Sequence, residues 1–192
     1  MGKNSMITEL PGQMSVKTPA DIDRYRARII ASTRRAQERI AALDIDSLEL
    51  FRLMKFGSVG FHPIDEREIN LVEQINQTWS YIAALAAARL LLSMHEDAGG
   101  FELAPGAHAA LDLDIMSGRR GVVGAEVFAA VTPDNNRKLR RDLDKLSKRN
   151  EVHRYVFFLS PRYPKNEHQS RLDPVPQDSG RNPIQVWSVN LN

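Results

Sequence analysis

Three acidic residues with the spacing of adjacent β-strands are the part of the sequence best suited to chemistry. Asp112 and Asp114 are separated by one residue, so in a strand their side chains share one face. Glu126 lies within the apolar stretch 122–131, and a tight turn at 117–121 would bring either aspartate close to it. A lone ionised carboxylate in apolar surroundings costs several kcal/mol, so Glu126 requires a partner. The pattern predicts either a carboxylate face that binds a ligand or a solvated pair of aspartates beside a glutamate that a buried arginine holds.

These carboxylates can meet only if the chain around them forms a β-hairpin, and the sequence predicts one. Residues 110–116 alternate apolar and polar side chains, and residues 122–131 are rich in small and β-branched side chains. Helices are predicted over 20–43, 66–95 and 134–148, a short helix followed by a loop over 48–61, and further strands over 101–103, 152–159 and 184–189. Residues 1–18 lack a period and are expected to form an irregular lead-in. This order of elements predicts an α/β fold.

The predicted first helix is rich in arginine. Its apolar positions recur at helical spacing, so one face is expected to dock on the fold. The arginines either form a solvated basic face or contact phosphate or a partner, and the sequence leaves both interpretations open. They are Arg24, Arg26, Arg28, Arg34, Arg35 and Arg39.

Composition excludes several classes of site. The chain has 192 residues, of which 42% are apolar and 26% charged, and its formal net charge is +2. It contains no cysteine, which excludes disulfides, thiolate zinc sites and cysteine nucleophiles. No secretory signal is read at the start, and the longest apolar run, 82–92, is interrupted by Arg89. We therefore expect a soluble, cytoplasmic protein that does not enter a membrane.

The carboxylates and the order of elements together resemble the PD-(D/E)xK nuclease superfamily, the restriction-endonuclease-like fold. The core order of that family is helix, three-stranded meander, helix and strand, and it matches residues 66–159. The resemblance implies a mixed central sheet flanked by helices, with an N-terminal helical extension. It divides the chain into an extension over 1–62 and a nuclease-like α/β domain over 63–192.

The resemblance also implies a metal site. By analogy with the family, Asp112 or Asp114 and Glu126 hold Mg²⁺, with Mn²⁺ as a substitute, and Glu73 is the candidate ligand from the preceding helix. Hard oxygen ligands suit Mg²⁺, which keeps several waters and binds phosphate, so the group could activate a water for phosphodiester hydrolysis.

The chain departs from the family pattern at two points, of which the first, the absence of a proline before either aspartate, matters little. Two residues after the acidic residue of the third strand, where the family has a catalytic lysine, this sequence has Phe128. Some members relocate the basic residue to the following helix, and Lys138 is the candidate substitute, with Arg137 and Arg141 behind it.

Three functions are carried forward from the sequence. The first is a metal-dependent endonuclease or exonuclease, or a nuclease-derived DNA-processing protein, with nucleic acid as partner and DNA preferred. The second is a catalytically inactive nuclease-like fold that binds nucleic acid or a protein, which Phe128 favours. The third is an assembly protein whose first helix forms a homodimer or larger homo-oligomer.

Basic residues are unevenly distributed along the chain. They concentrate in the first helix and again over 137–181, as a basic rim around an acidic site would, although an ordinary surface could give the same net charge.

Overall fold

The structure, a computed structural model, describes residues 12–106, 111–175 and 181–190. Within them, the helices are α1 (Pro19–Ala41), α2 (Ser47–Phe56), α3 (Leu71–Met94) and α4 (Lys138–Ser147). The strands are β1 (Met14–Val16), β2 (Gly60–Phe61), β3 (Glu68–Ile69), β4 (Phe101–Leu103), β5 (Ile115–Ser117), β6 (Val123–Ala129), β7 (His153–Leu159), β8 (Glu167–His168) and β9 (Ile184–Val189).

Seven of these strands form one mixed sheet in the order β1-β4-β5-β6-β7-β9-β8. The pairs from β1 to β6 are antiparallel, β6–β7 and β7–β9 are parallel, and β8 is antiparallel to β9. Strands β2 and β3 form a separate small hairpin. The predicted α/β class, with a mixed sheet flanked by helices, is confirmed.

Helices cover both faces of the sheet. Alternate residues of β6 point to opposite faces: Val127 joins the core cluster beneath α1 and α3, whereas Phe128 joins the cluster beneath α4. The middle of α3 is almost entirely buried because it lies between α1 and the sheet, which explains its run of alanines. Glu126 is on the same face as Phe128, so its carboxylate points toward α4.

The start of the chain is more ordered than the sequence predicted. Residues 14–16 form strand β1 and pair with β4, so part of the predicted lead-in belongs to the sheet; residues 1–11 lie outside the described residues. Ile22, Tyr25 and Ile29 of α1 enter the same core as α3. The chain before residue 62 therefore shares a sheet and a core with the chain after it. The division of the chain into an extension and a domain at 62/63 remains a prediction.

The hairpin strand predicted over 110–116 is shorter in the structure. It is limited to β5, residues 111–114 are irregular, and residues 107–110 lie outside the described part. The local reason is that Val127 N–H of β6 donates to the side-chain carboxylate of Asp114, at 2.9 Å, rather than to a main-chain carbonyl of a longer β5. The carboxylate thus ends the β5–β6 pairing next to Glu126.

Two helices also begin later than predicted. Helix α3 starts at Leu71 because Glu68 and Ile69 pair with β2, and the Asn70 side chain then caps the helix by accepting from Glu73 N–H. Helix α4 starts at Lys138 because residues 135–137 form a 3₁₀ turn with positive φ at Asn136 and Arg137.

The basic face of α1 binds the segment that contains β2 and β3. Arg28 donates to the carbonyl of Ile64, Arg35 pairs with Glu66 at 2.9 Å, and Arg39 pairs with Glu68 at 2.7 Å. The guanidinium groups of Arg35 and Arg39 also lie 4.0 and 4.6 Å from the centre of the Phe61 ring. These three arginines therefore fix the β2–β3 hairpin to α1.

We expect Arg39→Gln to lower the free energy of unfolding by about 1 kcal/mol, because it removes an ion pair and a cation–π contact that are both partly screened by solvent. Arg34→Gln on the same helix is the matched control, since exposed Arg34 makes none of these contacts, and should change stability by less than about 0.5 kcal/mol. Urea denaturation measures both values. Equal effects of the two substitutions would show that the hairpin is not held in this way.

Candidate active site

An open cavity of about 670 Å³ lies between α4 and the carboxyl-terminal half of β6. We call it the carboxylate cavity because three buried acidic side chains line it: Asp114, Glu126 and Asp142, which are 8%, 3% and 3% exposed. Two lysines of α4, Lys138 and Lys145, line the same space. The cavity therefore places buried carboxylates beside lysine ammonium groups at the end of the central strand β6.

The register of the hairpin decides which aspartate reaches Glu126. Ile115 pairs with Ala125, so Asp114 comes beside Glu126 where the pairing ends. The turn predicted at 117–121 has three residues between Ser117 and Gly121, which it would pair. The turn in the structure has five residues, 118–122, so the predicted register is wrong by two residues. The two carboxylates are close enough for Glu126 to raise the pKa of Asp114.

Asp112 and Glu73 lie elsewhere. The exposed carboxylate of Asp112 pairs with Arg149 at 3.1 Å. Glu73 lies at the start of α3, where its carboxylate is 3.9 Å from the guanidinium of Arg67. Neither is among the described residues that line the carboxylate cavity, and α3 instead presents Asn76 and Ser80 to it, one and two turns further along the helix.

The lysine predicted to replace the strand lysine does lie at the carboxylates. Lys138 Nζ is 2.5 Å from Asp142 Oδ1 and 3.9 Å from Glu126 Oε2. Lys145 Nζ is 2.7 Å from Glu126 Oε1. Positions 138, 142 and 145 follow i, i+4, i+7 spacing, so they form one stripe of α4 that faces the sheet.

Asp142 and Lys145 were missed by the sequence analysis. They lie next to Leu139, Leu143 and Leu146, whose helical spacing predicts a buried stripe, and this proximity is the signal that could have identified them. On a short helix, charged side chains beside the apolar face point partly toward the core. Among the basic residues named with Lys138, Arg141 lines the cavity and donates to the carbonyl of Asn136, whereas Arg137 precedes α4.

Phe128 is part of the apolar core beneath α4. Its ring is 5% exposed and stacks on Phe158 at a centroid distance of 5.9 Å. One edge of it contributes to the wall of the carboxylate cavity. Phe128 therefore packs in the core, and the ammonium groups beside the carboxylates belong to α4.

The acidic cluster is electrostatically strained. Burial, reinforced by the neighbouring Glu126 carboxylate, raises the pKa of Asp114 to about 7. Burial also raises the pKa of Asp142 to about 6, although its hydrogen bond from Lys138 acts in the opposite direction. Within the described residues, Glu126 Oε1 and Asp142 Oδ2 have no hydrogen bond of acceptable geometry, so the close approach of Lys145 to Glu126 is an ion pair only. The site carries more buried negative charge than the chain satisfies.

We expect Asp114→Asn to stabilise the metal-free protein at pH 8 by about 2 kcal/mol, because the amide cannot ionise while its oxygen still accepts from Val127 N–H. The folded pKa of about 7 exceeds the value of 3.8 for an unperturbed aspartate, so the folded state retains a proton that the unfolded state releases across this interval. Stability conferred by this carboxyl therefore falls as pH rises through that window, and the advantage of the variant disappears near pH 4.

Urea denaturation of both proteins in a chelator, from pH 4 to pH 8, measures the difference. Asp112→Asn is the control, because its side chain is exposed, and its difference curve is expected to be flat. A difference between wild type and Asp114→Asn that does not change with pH would contradict the elevated pKa.

The residues present fit a magnesium ion whose remaining ligands come from substrate and water. Within the described part of the chain, no group of three or more histidine or acidic side chains is arranged to hold a metal ion. Mg²⁺ is usually bound through one or two carboxylates together with substrate phosphates and waters, so three protein ligands are not required. Asp114 and Glu126 supply such a pair, and Glu126 has a buried oxygen without a hydrogen bond.

No helix in the described ranges is long and apolar enough to cross a membrane. We compared the chain with protein-family models, with curated proteins and with solved structures, and none of them matches it.

Proposed function

We propose that this chain is a divergent PD-(D/E)xK nuclease, which uses Mg²⁺ or Mn²⁺ to hydrolyse phosphodiester bonds, with DNA as the preferred nucleic acid. The observation that carries the proposal is the juxtaposition of buried Asp114 and Glu126 with Lys138 and Lys145 in one open cavity. Three buried acidic side chains face two lysines in this cavity, and Asp142 Oδ2 has no hydrogen bond within the described residues.

The order and direction of the elements support the same proposal. Helix α3 is followed by the antiparallel meander β4–β5–β6, then by α4, and then by β7 parallel to β6. This is the core order that the resemblance implies for a restriction-endonuclease-like fold. Glu126 lies on the third strand of that core, as the resemblance implies, whereas Asp114 immediately precedes the second strand and comes beside Glu126.

In the proposed mechanism, Asp114 and Glu126 would hold the metal ion. When bound, Mg²⁺ supplies an activated water and neutralises charge on the phosphate that is attacked. Lys138 and Lys145 place ammonium groups at the same carboxylates, so they offset negative charge that develops on the phosphate. Asp142 is a positioning residue, because its Oδ1 accepts from Lys138 Nζ and holds that ammonium group toward Glu126.

The cavity rim supports nucleic acid as the substrate. Arg141 and the amide side chains of Asn135 and Asn136 line the cavity together with the lysines, and Arg140 is exposed on α4 beside them. Such groups bind phosphate oxygens without reading sequence. Binding is therefore expected to weaken as salt concentration rises, because each phosphate contact releases counterions.

The proposal is tested by incubating the protein with supercoiled plasmid, single-stranded DNA and RNA in Mg²⁺, in Mn²⁺ and in EDTA. Cleavage is expected with either metal and not in EDTA. A preparation of Glu126→Gln, purified identically, controls for contaminating nucleases, because its side chain has almost the same size and no charge.

Cleavage that is equal in wild type and Glu126→Gln would overturn the proposal. So would the absence of cleavage in every combination of metal and nucleic acid. In that case, salt-sensitive binding of the same oligonucleotides without a metal requirement would favour the inactive binding fold.

A second candidate function, self-assembly, is favoured by a specific feature of α2. Leu48, Phe51 and Phe56 of this helix are exposed, and none of its described residues is buried. Monomeric proteins rarely expose contiguous apolar patches.

Self-assembly is best tested by a point substitution. Deletion of residues 1–45 would remove β1 and α1, which belong to the sheet and the core, so a change in oligomeric state could reflect unfolding. Phe51→Arg preserves both, and a shift from dimer to monomer in size-exclusion chromatography is the expected result.

A further inference from the structure

A second cavity adjoins the carboxylate cavity across the end of β6. It has a volume of about 450 Å³ and lies where the parallel strands β6, β7 and β9 reach their carboxyl ends. Ala129, Ala130 and Asn76 line both cavities, so a ligand can extend from one into the other. Ligands of open α/β sheets characteristically bind outside the carboxyl ends of the strands.

This second cavity, here called the apolar cavity, has walls suited to a flat aromatic ligand. Its described lining is largely apolar and comprises Trp79, Val131, Leu159, Pro161, Pro164 and Val189, with polar groups from Asn76, Ser160 and Asn190. The indole of Trp79 is 49% exposed, and Val131 opposite the shared wall is also exposed. Binding pockets of this size typically combine apolar walls with a few polar groups that fix orientation.

We propose that the apolar cavity binds an unpaired nucleobase adjacent to the scissile phosphate, and that single-stranded nucleic acid is therefore the substrate class. This inference rests on the proposed nuclease function, because a nucleotide with its phosphate in the carboxylate cavity places the neighbouring base past Asn76 and Ala130. Trp79 lines the cavity and is half-exposed, so its indole is available for stacking, which is sequence-tolerant because every base has a π-face.

Duplex nucleic acid does not fit this arrangement. Bases within a duplex are stacked on one another, and a base must be unpaired or flipped out before its face can meet an aromatic side chain. The two cavities share one wall, so the base that enters the apolar cavity is adjacent to the phosphate that is cleaved. A single strand supplies such a base without the cost of unpairing.

The chain offers a direct probe of this site, because it has only two tryptophans, Trp79 and Trp187. The ring of Trp187 stacks on His168 at 5.2 Å, and its indole N–H donates to Gln185. Trp187→Phe thus leaves Trp79 as the sole indole fluorophore, and Trp79→Phe leaves Trp187. The proteins are titrated in EDTA with a fluorescein-free oligothymidylate and with a blunt duplex of equal length, so that no cleavage occurs.

The expected result is that the single strand quenches the fluorescence of wild type and Trp187→Phe, but not of Trp79→Phe. Trp79→Ala is expected to weaken single-strand binding by roughly 10- to 100-fold, with Trp79→Phe intermediate, and to leave the weaker duplex binding within about twofold. Thermal unfolding of each variant confirms that the half-exposed side chain was removed without loss of the fold.

Unchanged single-strand affinity in Trp79→Ala would overturn the base-binding role, even if wild type cleaves DNA. Absence of binding to any oligonucleotide would also overturn it, and would point to a protein partner for the exposed apolar surface. Failure of the nuclease proposal has a different signature, because Trp79-dependent binding of single strands would then persist in a protein that cleaves nothing in Mg²⁺ or Mn²⁺.

Discussion

Asp114→Asn is expected to lower the rate of metal-dependent cleavage by at least about 100-fold, whereas Asp112→Asn leaves it within about twofold. The two aspartates are separated by one residue, yet only Asp114 is buried beside Glu126 in the carboxylate cavity. A metal ion contributes several kcal/mol of charge stabilisation in the transition state, and an amide in place of one carboxylate weakens that contribution directly. Asp112 is exposed and bound to Arg149, so its loss removes only a surface ion pair.

The measurement is the single-turnover rate on single-stranded DNA across a range of Mn²⁺ concentrations. A defect in metal binding raises the Mn²⁺ concentration needed for half-maximal rate, which a merely structural defect does not do. Since Asp114→Asn is also expected to stabilise the metal-free fold, loss of activity cannot be attributed to unfolding. Equal losses in the two variants, or a larger loss in Asp112→Asn, would mean that the functional pair is not Asp114 and Glu126.

Much of the site followed from the sequence because period-2 and period-3.6 patterns fix which residues share a face. The alternation within 122–131 indicates that Glu126 and Phe128 share a face, and the structure has them so. Lys138 was predicted from the family resemblance, in which the basic residue can lie on the helix that follows the strand. What these patterns could not fix was the length of the β5–β6 turn, because a hairpin shifted by two residues preserves the facing of every side chain.

The remaining features depend on contacts between distant parts of the chain. The Asp114 carboxylate competes with the main chain for Val127 N–H, and no local pattern signals that competition. The position of β1 at the sheet edge depends on its pairing with β4, more than 80 residues later in the sequence. Glu73 continues the polar stripe of α3 as predicted, but lies beside Arg67 because the β2–β3 hairpin precedes the helix directly.

The carboxylate cavity also shows why stability and function conflict here. Two aspartates with raised pKa and two carboxylate oxygens without hydrogen bonds are costly in the metal-free protein. A cation bound beside them would remove much of that cost.

We therefore expect Mn²⁺ to raise the thermal midpoint of wild type more at pH 8 than at pH 5, because Asp114 must release its proton to bind a metal.

Phe128→Lys, which places a lysine where the proposed nuclease family has one, is expected to destabilise the fold by about 4 kcal/mol and to add no activity. The Phe128 ring is buried against Phe158 and beneath α4, so the substitution both removes an aromatic side chain and places an ammonium group in the apolar core. Truncation of a buried phenylalanine alone costs about 3 to 5 kcal/mol. The nearest carboxylate, Glu126, already pairs with Lys145.

Phe128→Leu is the matched control, because it keeps the site apolar, and its expected cost is about 1 to 2 kcal/mol. Urea denaturation gives the two free energies of unfolding, and cleavage assays of all proteins at one temperature, about 15 °C below the lowest thermal midpoint, compare folded proteins only. A Phe128→Lys protein that is as stable as Phe128→Leu and cleaves faster than wild type would show that the strand position can still accept the catalytic cation. Loss of stability with unimproved cleavage is the expected result, because the core beneath α4 is packed around the Phe128 ring.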